Sequence, residues 1–217
     1  MLYENRVYTA VPGKLGAIND RFANITIDYF KQYEIGMMGF WTDEIGTSNQ
    51  MTYILTFDDM ADREKKFKAF GADQKRLADF AETEVDGPLV AKVYNSFMQA
   101  TPYSPEPQLS SKVQELRVYD AMPGKLPALH NRFSNHTMPL FEKHGIENIA
   151  YWTELVGTSN RLVYMLGYDS VGDREKGWAA FGADPDWQKA RAESEKDGAL
   201  VRESRHSIMR LTPYSPR

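Results

Sequence analysis

The chain contains no cysteine, which excludes disulfides, a thiolate nucleophile and every metal site built on sulfur. It also lacks any run of about 18 apolar residues, the length a membrane-spanning helix needs. The first residues, MLYENRVYTA, show neither the charged and apolar regions of a signal peptide nor the Arg/Ser-rich character of a transit peptide. The expectation is therefore a cytoplasmic protein with no membrane partner. Excess positive charge is missing too: 26 Lys+Arg stand against 30 Asp+Glu, for a formal net charge of −4. A phosphate backbone would find no basic stripe here, so nucleic acid is not an expected partner. The PGKL segments lack the upstream glycine loop of a P-loop, and no G-x-S-x-G elbow occurs.

What is present is one pattern written twice. In the 217 residues, a shift of 111 positions lays ENRVYTAVPGKL (from Glu4) on ELRVYDAMPGKL (from Glu115). WTDEIGTSN then falls on WTELVGTSN, DREK on DREK, FGAD on FGAD and TPYSP on TPYSP, with no gap. Nearly half of the aligned pairs are identical, which means duplication of one supersecondary unit. The expected organisation is repeat 1 over 1–105, a Pro/Ser-rich linker over 106–111, and repeat 2 over 112–217. The shared TPYSP ending suggests that each repeat closes with an extended arm.

Within repeat 2 the periodicities have a clear order. Glu115 to Tyr119 alternates as a strand, and Pro123-Gly124 turns out of it. Leu126, Leu129, Phe133, Leu140 and Phe141 recur at helical spacing up to Gly145, with a kink expected at Pro139. Ile149–Val156 and Leu162–Tyr168 form a hairpin around GTSN. Asp169 or Ser170 can cap a second helix, Asp184-Pro185 restarts it, and Ala199–Leu211 is the last strand. The order β-α-β-β-α-β is the ferredoxin-like unit, whose sheet has one face free of helices. Covering a few hundred Å² of such a face contributes several kcal/mol, at about 25 cal/mol per Å². The expected fold class is accordingly α+β: two tandem ferredoxin-like units packed sheet-to-sheet as an intramolecular dimeric α/β-barrel. A homodimer would then have to use the outer helices or the arms.

The segments ELRVYDAMPGKLPALHNRF, HTMPLFEKHGI, YWTELVGTSNRLVYMLGYDSVGDREKGWAAFGADPDWQ and RLTPYSP resemble the NIPSNAP family over the whole of repeat 2, with repeat 1 a more diverged copy. The resemblance implies the dimeric α/β-barrel branch of ferredoxin-like folds. That branch holds small monooxygenases, decyclising and haem-degrading enzymes and plain ligand-binding domains. It carries over no single reaction and no required cofactor.

Candidate site residues come from the strand faces and from the differences between the copies. If Leu116 and Val118 face the helices, then Glu115, Arg117 and Tyr119 point into a central barrel cavity, as do Glu4, Arg6 and Tyr8 of repeat 1. A buried arginine needs a carboxylate or an anionic ligand, and Glu115 can supply the first. All four histidines, His130, His136, His144 and His206, lie in repeat 2. Among them His136 falls on the apolar stripe beyond Phe133, whereas His130 reads as solvated and His144 as a helix-end cation. Their spacings miss the separation that pairs two metal ligands on one helix face, so neither metal nor cofactor is expected. Trp152, Tyr164 and Asn160, on the hairpin, complete a set of candidate ligand contacts with Arg6, Tyr8, Glu115, Arg117, Tyr119 and His136. Three functions fit. One is binding of a small molecule in the barrel cavity. Another is a cofactor-independent oxygenase, isomerase or lyase with His136 or Tyr119 as acid or base. The third is a structural or adaptor module.

Overall fold

The expected order of elements is found twice over. In the computed structural model, which describes residues 1–216, repeat 1 runs β1 (Leu2–Ala10), α1 (Leu15–Arg21), the π-helical turn π1 (Phe22–Thr26), α2 (Ile27–Gln32), β2 (Gly36–Ile45), β3 (Gln50–Phe57), α3 (Met60–Ala72), α4 (Gln74–Glu82) and β4 (Val90–Ala100). Repeat 2 runs β5 (Val113–Ala121), α5 (Leu126–Arg132), π2 (Phe133–Thr137), α6 (Met138–Lys143), β6 (Glu147–Val156), β7 (Arg161–Tyr168), α7 (Val171–Ala183), α8 (Pro185–Ser194) and β8 (Val201–Leu211). The strands order as β4-β1-β3-β2 and β8-β5-β7-β6. All these pairings are antiparallel, with Arg117 opposite Tyr164 on one side and His206 on the other. The protein is α+β, with helices packed on one face of each sheet over an aromatic-rich core.

Local chemistry fixes the element ends. Ser170 accepts from the Asp173 N–H (3.1 Å) at the start of α7, and Asp184 accepts from the Asp186 N–H (2.8 Å) where Pro185 opens α8. Asp59 and Asp73 cap the equivalent helices of repeat 1. In the GTSN turns Asn49 and Asn160 hold φ of 63° and 58°, a region that asparagine tolerates. The Asn160 carbonyl accepts from the Ala121 N–H at 2.8 Å. That residue therefore serves the hairpin.

The first helix departs from expectation. Its break lies at π2, one turn before Pro139, and repeat 1 has the same π turn with Asp28 at the position of Pro139. Proline is thus not the cause; it sits in the first turn of α6, where a missing N–H costs little. The π turn closes i→i+5 bonds, as from the Met138 N–H to the Phe133 carbonyl, and so takes up one extra residue. The residue carried inward is Thr137, which is buried, and His136 is turned to the exposed side.

The arms also differ from a plain extended tail. Each TPYS segment makes a tight turn, with Ser104 N–H to the Thr101 carbonyl (3.0 Å) and Ser215 N–H to that of Thr212 (3.1 Å). The compact units are residues 1–99 with the segment from Leu211 onward, and Ala100–Arg210. The arm that ends repeat 1 therefore packs within the second unit, and the arm that ends repeat 2 within the first. There each clips one strand residue from both sides. Thr101 N–H donates to the Tyr151 carbonyl while Tyr151 N–H donates to Ser104 Oγ, both at 2.9 Å; Thr212 and Ser215 treat Phe40 alike, at 2.9 and 3.0 Å.

Removing either serine hydroxyl strands a strand N–H. Ser104→Ala and Ser215→Ala are each expected to lower the unfolding free energy by about 1–3 kcal/mol. The two losses should add, because the sites share no partner. Urea denaturation of the single and double variants checks both points.

Candidate functional site

The first strand of each repeat places an ion pair under the helices. Glu115 is fully buried and accepts from Arg117 Nη1 (2.6 Å), Arg174 Nη2 and Nε (2.8 and 3.0 Å), the Tyr168 hydroxyl (2.9 Å) and Trp178 Nε1 (3.2 Å). Arg117 further donates to the hydroxyls of Tyr164 (2.8 Å) and Tyr119 (3.1 Å), and its guanidinium carbon lies 4.3 Å from the centre of the Trp178 ring. Because Arg174 and Trp178 belong to α7, Glu115, Arg117 and Tyr119 occupy the helix-covered face of the sheet. The expectation that they point the other way, into a central cavity, is corrected on this point. Arg117 is satisfied from within the unit, so no external anion is required to hold it in place.

Burial alone would raise the Glu115 carboxyl, but its hydrogen bond from Arg174 and the charges of Arg117 and Arg174 outweigh that and hold it below the usual carboxylate value. Burial drives Tyr164 well above an ordinary phenol, and Tyr168 rises for the same reason with Glu115 beside it. Repeat 1 builds the same pair from other neighbours. Glu4 accepts from Arg6 (2.5 Å), Arg63 (3.0 and 3.1 Å) and Asn95 (3.0 Å), while Arg6 donates to Tyr53 (2.7 Å) and Tyr8 (3.3 Å). Phe57 and Phe67 stand where repeat 2 has Tyr168 and Trp178.

Beside the pair in repeat 2 lies a cavity of about 280 Å³, between β5, β7, β8 and the helices. Tyr119 and Tyr164 form one wall, at 5.1 Å edge to face, and Phe133 meets Tyr164 at 5.0 Å. Trp178, Phe181 and Trp187 form the other, with Trp187 and Phe181 ring centres 4.4 Å apart. Arg132, Arg191 and Glu195 supply its charges. Sequence reasoning missed Trp178, Phe181, Trp187, Arg191 and Glu195. A usable signal was there, because repeat 1 has Phe67, Arg76 and Phe80 at the positions of Trp178, Trp187 and Arg191. Those differences between copies were as informative as the histidines. In repeat 1 the Arg76 guanidinium lies across Phe70 and Phe80, at 4.6 and 4.7 Å.

The fold brings Glu115, Arg117, Tyr119 and Tyr164 together, and Arg6 with Tyr8 in repeat 1. It does not bring the remaining candidates to them. His136 is exposed on an open groove of about 600 Å³ between the α5–π2–α6 helix and α8, because the π turn rotates it off the apolar stripe. Trp152 is fully buried and, next to Tyr151 in the strand, points to the sheet face opposite Tyr151 and Tyr164. Asn160 is a turn residue, as above. His130 is not solvated as expected: it bridges the Tyr103 hydroxyl (2.6 Å) and Thr153 Oγ1 (3.2 Å), and burial lowers its pKa. His144 does sit at a helix end, 2.7 Å from Asp184, the N-cap of α8. Among the described residues no group of three or more His, Asp or Glu could hold a metal ion, and no helix is long and apolar enough to cross a membrane.

Solved structures share this architecture along almost the whole chain. A provisionally assigned monooxygenase from Lactobacillus acidophilus NCFM matches 97% of this chain and 93% of its own at 13% identity, with a TM-score of 0.59. An anthrone oxidase-like protein matches 97% and 91% at 11% identity, with a TM-score of 0.65. At such identities the likeness is one of fold, and it places the protein in the α+β class of dimeric α/β-barrels. A NIPSNAP domain protein from Burkholderia xenovorans matches 49% of this chain and 100% of its own, at 24% identity and a TM-score of 0.44. The NIPSNAP family model matches residues 3–105 and again 114–216, and the chain belongs to that family. Among curated proteins none matches it.

Two measurements test the electrostatics. Glu115→Gln leaves Arg117 and Arg174 without their carboxylate and should cost about 3–5 kcal/mol by chemical denaturation. His130 has a folded pKa below its ordinary 6.5, so the stability it contributes is present above that value and lost as pH falls through the folded pKa. His130→Asn, the residue repeat 1 carries at Asn19, should flatten the stability profile just below that pH. The fall below the ordinary carboxylate value of 4.5 set by Glu115 should remain.

Proposed function

We propose that the protein binds a small planar aromatic molecule, and that the ligand enters the helix-side cavity of repeat 2. The observation that carries this reading is the aromatic lining itself. A volume of about 280 Å³ lies at the small end of ligand pockets, suited to two fused rings. Its walls offer faces and edges at stacking distances, from Tyr119 and Tyr164 on the sheet to Trp178 and Trp187 on the helices. In this arrangement Glu115 and Arg117 are positioning residues: they hold the two phenols and Trp178 and leave the contact to the rings. Burying about 160–200 Å² of apolar ring surface contributes roughly 4–5 kcal/mol, equivalent to a millimolar or somewhat tighter dissociation constant. Tighter binding needs a polar anchor.

The enzymatic alternative uses the same cavity, and one observation favours it. Tyr119 lines the cavity and accepts a hydrogen bond from Arg117, so its hydroxyl is held beside the space a substrate would occupy. The neighbour described as anthrone oxidase-like suggests anthrone as a probe. Its signature would be oxygen consumption with anthrone that Tyr119→Phe abolishes. No consumption above background would remove this alternative.

The binding reading is tested by titrating the protein with 2-naphthylmethanol while following tryptophan fluorescence and calorimetric heat. Saturable binding is expected in the wild type. Ala199→Phe, at the exposed edge of the cavity, should weaken it by at least about tenfold with the circular dichroism spectrum unchanged. Equal binding by both proteins would place the ligand elsewhere.

A further inference from the structure

We infer that the cavity selects planar aromatic molecules bearing an anionic oxygen, an aromatic carboxylate or phenolate, over neutral and cationic ones. This rests on the binding reading above and adds the charge of the ligand to it. The rim carries two guanidiniums and one carboxylate. Glu195 is already engaged by Arg132 Nη1 at 2.7 Å and Arg191 Nε at 3.3 Å. Burial would raise the Glu195 carboxyl, but both arginines hold it low, so it is ionised near neutral pH. One positive charge is left over. Arg132 is buried, and its Nε has no hydrogen-bond partner among the described residues. Tyr119 already accepts from Arg117, which polarises its own O–H as a donor. The polar groups that converge on this aromatic space are thus mainly donors, and the one carboxylate is taken. A ligand ammonium would meet like charge there, whereas a carboxylate or phenolate would meet the exposed Arg191 guanidinium and the Tyr119 hydroxyl.

Comparison of the copies points to the same residue. Repeat 1 has arginine then aromatic at Arg76 and Phe80; repeat 2 has aromatic then arginine at Trp187 and Arg191, one helical turn apart in each case. In repeat 1 the cation lies between Phe70 and Phe80, so its charge is spent on the protein's own rings. In repeat 2 the exchange puts an indole inside and moves the guanidinium to the rim, where its side chain is 63% exposed. An exposed arginine beside an open aromatic slot can meet an incoming anion without first leaving a buried partner.

The test is calorimetric titration of the full chain, near neutral pH, with three probes of one ring system: 2-naphthoate, 2-naphthylmethanol and 2-naphthylmethylammonium. Naphthoate is expected to bind about tenfold tighter than the alcohol, and the ammonium weaker than either. Arg191→Gln should bring naphthoate close to the alcohol, and about 0.5 M NaCl should shrink the wild-type preference. The paired exchange Trp187→Arg with Arg191→Phe, which installs the repeat 1 arrangement, should abolish naphthoate binding. Arg191→Gln alone decides the matter if that double variant does not fold. Naphthoate and alcohol binding equally would overturn the anion inference and leave the cavity reading intact. A naphthoate preference unchanged in Arg191→Gln would overturn the assignment to this rim. Failure of every probe to bind would overturn both readings together.

Discussion

A carboxylate with no access to water sits on the first strand of each repeat, and most of the local structure follows from having to satisfy it. An ionised carboxylate inside a protein needs several donors. Glu115 obtains them from its own strand, from the end of β7 and from α7. That convergence fixes how α7 lies on the sheet and draws Trp178 over Arg117. Arg117 in turn holds the hydroxyls of Tyr119 and Tyr164. The ion pair is therefore a jig for aromatic rings, and its neighbours decide which rings those are.

The two copies show how far such a jig tolerates change. Glu4 keeps the same two arginine partners in Arg6 and Arg63 but takes a third donor from Asn95, at the position His206 holds in repeat 2. With Phe67 in place of Trp178, the lid of repeat 1 has no indole N–H to offer. Around that shared frame the two copies place arginine and aromatic side chains differently. In repeat 1 the Arg76 guanidinium lies against Phe70 and Phe80, whereas the rings of repeat 2 line a cavity. A duplication is a natural setting for this, since one copy can keep the fold sound while the other changes its lining.

The repeat, the order of elements, the caps and the hairpin turns are legible in the sequence because each rests on local chemistry: proline and glycine at turns, Ser170 and Asp184 at helix starts, alternation along strands. Which face of a strand meets the helices is not local. Glu115 and Leu116 are both buried, and every residue of β7 is buried, so alternation separates two faces without saying which is covered by helices. The rule that apolar side chains face helices fails here because the helix side carries the ion pair. His136 was misplaced for a different reason. Helical spacing assumes α-helical turns, and the π turn over Phe133–Thr137 brings Thr137 inward in place of His136, while Leu140 and Phe141 stay buried. The cavity is not legible because the charged residues of the second helix read as a solvated face until that helix is seen to bring Trp187 and Arg191 to the cavity.

The crossed arms carry a consequence for how this chain can be divided. The boundary that the repeat draws, after the first TPYSP, is not the boundary of either compact unit. A fragment ending there would keep an arm it does not use and lack the one that clips Phe40, while the complementary fragment would carry the converse mismatch. The chain is therefore modular as a text, but its compact units do not end where its repeats do. Its natural severable pieces differ from its inherited ones, and recombination at the repeat junction would trade a clip between halves each time.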